Sequence, residues 1–286
     1  EIQDCHNPYD SFALHKAALI ACGIIPMEGE ADLEKILDEM GGGFYMSTRV
    51  KGVPKGSGLG TSSILSGACV RALGKFLGTS WSDSDVYELV LNLEQIMSTG
   101  GGWQDQVGGL TGGIKYITSR SGMKQKLKVE YLDLDEATKT ELQERFALIY
   151  TGQRRLARNL LRDVVGNYIG GKKESKEALE EMKHLAVMMR YELEQGDVNA
   201  FARLLNEHWE VSKKLDAGST NTCIDQIFAS CEDLIDGKFI SGAGGGGFLQ
   251  VILKKGVSKE MLRTRLLDVY QDSGVDVWDA EFEWKK

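Results

Sequence analysis

The sequence predicts an α+β protein of two domains. Three observations carry that reading: the chain length, the order of periodic segments on either side of residue 144, and glycines gathered into knots at segment borders. At 286 residues the chain can bury one large core or two ordinary ones. The second half reads strand, helices, two strands, helix, strand. That is the order of a split βαβ or ferredoxin-like sheet with helices inserted after its first strand. The 34 glycines, set against only 3 prolines, concentrate at 41–43, 56–60, 100–113 and 242–247. Each knot abuts a regular segment, so these are structured loops in which backbone approaches something closely.

Taken in order, residues 10–23 have apolar spacing suited to a buried helix that stops at Gly23, and 30–40 form a short acidic helix. Residues 43–50 alternate like a strand and lead into the 54–60 loop. A helix runs from Ser62 to Gly78, and Ser82 caps the next one, with Asp85 where a capping box normally places Glu. After the knot at 99–113, strands are expected in the GIKYITS run and over 126–134. The charged run EATKTELQER then marks a boundary near 144. Beyond it come a buried strand (146–152) and helices at 154–169, 174–195, 198–214 and 222–233. Strands on both sides of the last glycine knot, a helix at 258–273 and a closing strand from Val275 complete the chain.

Composition excludes several function classes. With 42% hydrophobic and 27% charged residues the chain has an ordinary globular balance. The net charge of −8 and the scattering of Lys and Arg among acidic residues argue against a nucleic-acid partner. No apolar run reaches membrane-spanning length, and the first residues lack a signal-peptide layout, so no membrane partner is expected. The 5 cysteines lack a Cys-x-x-Cys and the 4 histidines are dispersed, which predicts reduced thiols in a cytoplasmic protein. The chain begins with Glu1 and reads as excised from something longer.

Two constellations carry chemistry. The 54–63 loop enters from an expected strand and runs into a helix start, where unpaired N–H groups and the positive end of the helix dipole attract phosphate. Its glycines let backbone fold around an anion, while Thr61, Ser62 and Ser63 add hydroxyls; alternatively Ser62 is a plain helix cap. It is no Walker loop, since no Gly-Lys-Ser/Thr follows the glycines. The second constellation is Glu94, near a helix end, with Asp105 inside a glycine-packed loop. Phosphoryl transfer needs oxygen ligands for Mg²⁺ and a group that positions and deprotonates the attacking hydroxyl. The alternatives are a solvated helix glutamate and a loop-capping aspartate.

The run Pro54-Lys55-Gly56-Ser57-Gly58-Leu59-Gly60-Thr61-Ser62 resembles Pro-x-x-x-Gly-Leu-Gly-Ser-Ser, the phosphate loop of the GHMP kinase superfamily, with Thr61 in place of a serine. Residues 102–106 resemble its Gly-x-x-Asp-Gln motif, and 242–247 its third motif, Gly-Ala-Gly-Gly-Gly-Gly. The resemblance implies a ribosomal-protein-S5-like N-terminal domain over 1–144, lacking its first strands, and a ferredoxin-like C-terminal domain over 145–286. It implies ATP and Mg²⁺ as cofactors. Pro54, Gly56, Gly58, Leu59, Gly60, Thr61, Ser62, Ser63, Gly244 and Gly245 would meet the nucleotide, Ser62 and Glu94 the metal, and Asp105 would be the base. Gly101, Gly102, Trp103, Asp105 and Arg155, the last from a Tyr-Thr-Gly-x-x-Arg segment, would face the sugar.

Finer similarity over most of the chain is to L-fucokinases, including the kinase half of bifunctional fucokinase/pyrophosphorylases. Trp103 before Gln-Asp-Gln is the most telling residue: it would stack on a deoxysugar's apolar face, or else fill the core. The implied activity is phosphorylation of L-fucose at its anomeric hydroxyl, the implied partners are sugar and ATP, and a covalently linked pyrophosphorylase domain would lie upstream. A heptose-phosphate or other sugar kinase, or a non-catalytic sugar-binding relative, is the alternative. The segment Pro-x-Arg-x-Asp-x-x-Gly-Gly-Trp-x-Asp, which holds the sugar in fucokinases, has no match in residues 1–50.

Overall fold

The computed structural model describes residues 4, 5, 7, 10–54, 56–98, 101–122, 125–153, 158–242 and 244–284. The chain forms two compact units, one of Glu1–Val53 with Gly60–Thr111 and one of Pro54–Leu59 with Gly112–Lys286.

The first unit carries α1 (Ala13–Ala21), α2 (Leu33–Met40), α3 (Thr61–Phe76), α4 (Asp83–Ile96) and α5 (Gln104–Gly109). Its core forms where Ala17, Ala18 and Ile20 of α1 meet Cys69, Val70 and Leu73 of α3 and Val86, Val90 and Leu93 of α4. Three- and four-residue spacing puts each set on one helix face. The expected capping box is present: Asp85 N–H donates to Ser82 Oγ at 3.2 Å and Ser82 N–H to Asp85 Oδ2 at 2.8 Å. The glycine knot was expected to be loop throughout, yet it contains the short helix α5. Residues 43–50 do not form the expected strand. Among the described residues they join no sheet, and Tyr45 is 90% exposed. Alternation supplies a strand's side-chain pattern, but a strand also needs a ladder partner for its N–H and C=O groups.

The second unit opens with the antiparallel pair β1 (Lys115–Ser119) and β2 (Leu127–Tyr131), followed by α6 (Glu136–Arg145) and β3 (Phe146–Thr151). Then come α7 (Arg158–Ile169), α8 (Lys173–Glu194), α9 (Val198–Leu215) and α10 (Thr222–Ser230). The unit closes with β4 (Ile235–Ile240), β5 (Phe248–Leu253), α11 (Lys259–Tyr270) and β6 (Val275–Trp278). The larger sheet is ordered β4-β5-β3-β6, with every pair antiparallel. This is the ferredoxin-like order the sequence predicts. Leu249, Val251 and Leu253 of β5 join Ile224, Ile227, Leu262 and Leu266 in its core.

The run read as a charged boundary is the helix α6, capped by Asp135, whose carboxylate accepts from Thr138 N–H at 2.6 Å. Arg145 at its end is only 4% exposed. Its guanidinium donates to Leu253 O at 2.7 Å, to Asn199 Oδ1 and Asp236 Oδ2 at 2.8 Å, and to Glu141. A planar fork of five donors suits such a junction, joining α6 to β4, β5 and α9.

Candidate active site

In the first unit the site is built at the start of α3. Gly60 is its N-cap in the left-handed region (φ 66°), and no side chain caps the helix there. The first-turn N–H groups at Thr61, Ser62 and Ser63 therefore keep their anion-attracting character. A Cβ on Gly60 would stand 3.1 Å from Asp105 Cβ and 3.2 Å from its Cγ, so the missing side chain is what lets Asp105 lie against the helix start.

Glu94 is 5% exposed, which excludes the solvated-helix reading. Its Oε1 accepts a hydrogen bond from Ser63 Oγ. On the other side, a Cβ at Gly101 would come within 3.2 Å of Oε2. Burial pushes the Glu94 pKa up and the Asp105 charge adds to this, while the Ser63 hydroxyl works the other way. Asp105 keeps exposed surface, yet the protein packed around its carboxyl also raises its pKa.

Trp103 is half-buried as the N-cap of α5, and Gly102 is exposed beside it. The next buried group, Gln106, holds both amide atoms without a hydrogen-bond partner among the described residues. Such an orphan is costly, and its position directly after Asp105 marks a segment shaped by something other than stability.

The sequence reading placed the Ser63 hydroxyl at the nucleotide and missed its bond to Glu94. The signal was available. Ser63, Ser66, Gly67 and Val70 recur at helical spacing on the buried face of α3, which leaves Ser62 facing outward and exposed.

In the second unit, the first half of the predicted phosphate loop is laid against the last glycine knot. Phe248 N–H donates to Ser57 O at 3.0 Å. A Cβ on Gly247 would meet Ser57 O at 2.2 Å, and one on Gly58 would meet Ser241 O at 2.5 Å. Thr151 N–H and Oγ1 both donate to Gly247 O, at 2.9 and 3.0 Å. Gly244 and Gly245, predicted at the nucleotide, stand against Ser219: a Gly244 Cβ would meet Ser219 O at 2.5 Å, and Gly245 N–H donates to that oxygen at 2.7 Å. The glycines of this knot thus serve close backbone packing. Pro54 and Leu59 are half-buried and Gly56 is exposed with a φ of 71°. Arg155 lies outside the described residues.

A ferredoxin-like four-stranded sheet in one unit and a helical unit beside it in the chain define the class: an α+β protein of two domains. The chain belongs to the GHMP kinases, a family of ATP-dependent kinases. The family models for the GHMP kinases N terminal domain and the GHMP kinases C terminal match residues 31–113 and 189–270.

Its relatives include the L-fucokinase/L-fucose-1-P guanylyltransferase of Bacteroides fragilis, 35% identical over 257 residues that make up 89% of this chain and 27% of that protein. The bifunctional fucokinase/GDP-fucose pyrophosphorylase of Arabidopsis thaliana is 36% identical over 90% of this chain and 23% of its own length. The chain thus spans about a quarter of these curated relatives. The D-glycero-alpha-D-manno-heptose 7-phosphate kinase of Campylobacter jejuni is 28% identical over 69% of this chain and 58% of its own. Among solved structures, Streptococcus pneumoniae phosphomevalonate kinase in complex with phosphomevalonate and AMPPNP shares the fold, with a TM-score of 0.69, 15% identity, and coverage of 93% of this chain and 79% of that one.

Proposed function

We propose that this chain is the kinase core of an enzyme that transfers the γ-phosphoryl group of ATP to the anomeric hydroxyl of L-fucose, giving L-fucose 1-phosphate and ADP. The observation that carries the reading is the 35–36% identity to two fucokinases across about nine-tenths of the chain. The packing of Asp105 against Gly60 supports it, because a base for phosphoryl transfer has to stand beside the phosphate-binding helix start.

Asp105 takes the proton of the sugar hydroxyl as its oxygen bonds to the γ-phosphorus and the bond to the β-phosphate oxygen breaks. The N–H groups opening α3 bind phosphate oxygens, and Ser62 presents an exposed hydroxyl. Magnesium suits the donors present. It takes one or two carboxylates and completes its shell with water and substrate phosphate. The described residues offer the Glu94 and Asp105 carboxylates rather than a cluster of three or more protein ligands. Glu94 with Ser62 would hold the ion, which when bound offsets charge on the triphosphate. Trp103, half-buried and outside the hydrophobic clusters of the described residues, is the surface for the sugar's apolar face.

The 28% identity to a heptose 7-phosphate kinase favours a second reading, a sugar-phosphate acceptor. A substrate panel measuring ADP release decides between them, with the product's phosphate position assigned by ³¹P NMR. L-Fucose should give Mg²⁺-dependent ADP release and an anomeric phosphate. Turnover of heptose 7-phosphate with none of L-fucose would replace the first reading by the second.

A further inference from the structure

We propose that Ser63 is a positioning residue for the metal-binding carboxylate, fixing Glu94 through its hydroxyl instead of contacting phosphate. The inference rests on the phosphotransfer reading above. Ser63 and Glu94 are 4% and 5% exposed, so the bond between Ser63 Oγ and Glu94 Oε1 is closed to water. Ser63 shares its helix face with Ser66, Gly67 and Val70, all turned into the first unit's core, whereas Ser62 is exposed one residue earlier. Two adjacent serines of one motif thus divide the work: the outward one is available to ligand, and the inward one is occupied by the carboxylate. Gly101 closes the arrangement, since any side chain there would press on Oε2.

A glutamate near the end of α4 has three side-chain torsions to fix, and a carboxylate already pinned at one oxygen loses less freedom when it takes up a cation. Groups that orient a metal ligand from behind typically change metal affinity by ten- to a hundred-fold when removed.

The test is Ser63→Ala in the full chain, a change that deletes one oxygen and keeps the helix. The Mg²⁺ concentration for half-maximal transfer should rise by about tenfold or more, with kcat at saturating Mg²⁺ within about threefold of the parent. Binding of Mn²⁺ in the presence of ATP, followed by the electron paramagnetic resonance of free Mn²⁺, should weaken by the same factor. Ser63→Thr, which retains the hydroxyl, should restore both.

An unchanged Mg²⁺ midpoint with unchanged Mn²⁺ binding overturns the proposal. So does a raised KM for ATP with kcat lost at saturating Mg²⁺, which would place Ser63 on phosphate. A lowered melting temperature with normal metal dependence would make the bond purely structural and equally rejects it. If the parent chain phosphorylates no sugar at all, the functional reading fails by itself, and the Mn²⁺ measurement still decides the role of Ser63.

Discussion

As the proposed base, Asp105 would have to be ionised to accept a proton, yet it is held where ionisation is disfavoured. Burial of its carboxyl raises the pKa above the ordinary 3.8. Asp85 is opposite in sign, because hydrogen bonds from Ser82 lower its pKa. For an acid whose folded pKa is raised, the cost to stability is fully present above that pKa. It fades as pH falls and vanishes below the unfolded value of about 4. Asp105→Asn should therefore lower turnover by about 10²–10⁴-fold and at the same time melt higher than the parent at pH 7. That stability gain should shrink as the pH approaches 4. Melting curves of both proteins between pH 3.5 and 8 check the sign, and a gain independent of pH would show that charge burial is not its source. Asp105 stood out in the sequence as an acid packed among glycines, whereas Glu94, on a helix, was singled out only through the family resemblance. Ser63 was hidden by the phosphate motif that contains it, although helical spacing places it inward. The Arg145 junction was not legible, since beyond Glu141 on its own helix its partners at 199, 236 and 253 are near only in space.

Glycine knots were recognisable as tight loops, but their partners were not. In the last knot Gly244 and Gly245 were expected at the nucleotide, and Gly242, Gly244 and Gly247 lie against protein backbone. Gly247 and Gly256 make the distinction measurable, because both adopt left-handed φ, at 83° and 85°. A Cβ at Gly247 would meet Ser57 O at 2.2 Å, while one at Gly256 would meet nothing within 4 Å. Gly256→Ala should cost about 1 kcal/mol, the left-handed penalty alone. Gly247→Ala should cost on the order of 3 kcal/mol or more, because rigid backbone has to move as well. Urea unfolding of the two variants without nucleotide measures the difference; equal costs would mean that the 57–58 loop yields freely. Helices and buried strands were recovered because periodicity survives without knowledge of partners. Residues 43–50 failed for the complementary reason: alternation does not report whether a neighbouring strand exists. In α6 the mean pattern was too polar to suggest a helix, which its Asp135 cap and its docking through Leu142 and Arg145 stabilise.

Across the molecule the five cysteines behave alike although they belong to two separate units. All five are thiols, and burial raises the pKa of each, pushing Cys22 to about 11 and Cys231 to about 12. Cys5, Cys22 and Cys69 lie in or against the core of the first unit, and Cys223 and Cys231 in or against that of the second. The thiolate is the reactive form, so a pKa near 11 leaves about one thiol in a thousand ionised at pH 8, against roughly a quarter for an unperturbed one. With 5’-dithiobis(nitrobenzoate) at pH 8 the native chain should label slowly, the half-exposed Cys22 and Cys223 ahead of the buried Cys5, Cys69 and Cys231. All 5 should react within seconds to minutes after denaturation. Raising the pH toward 10 should speed labelling of the half-exposed pair. The buried three should follow the opening of their own unit, because access limits them as much as ionisation does. Rapid native labelling of Cys69 or Cys231 would mean that the core around it opens readily, and that its helices are held less firmly than their packing implies.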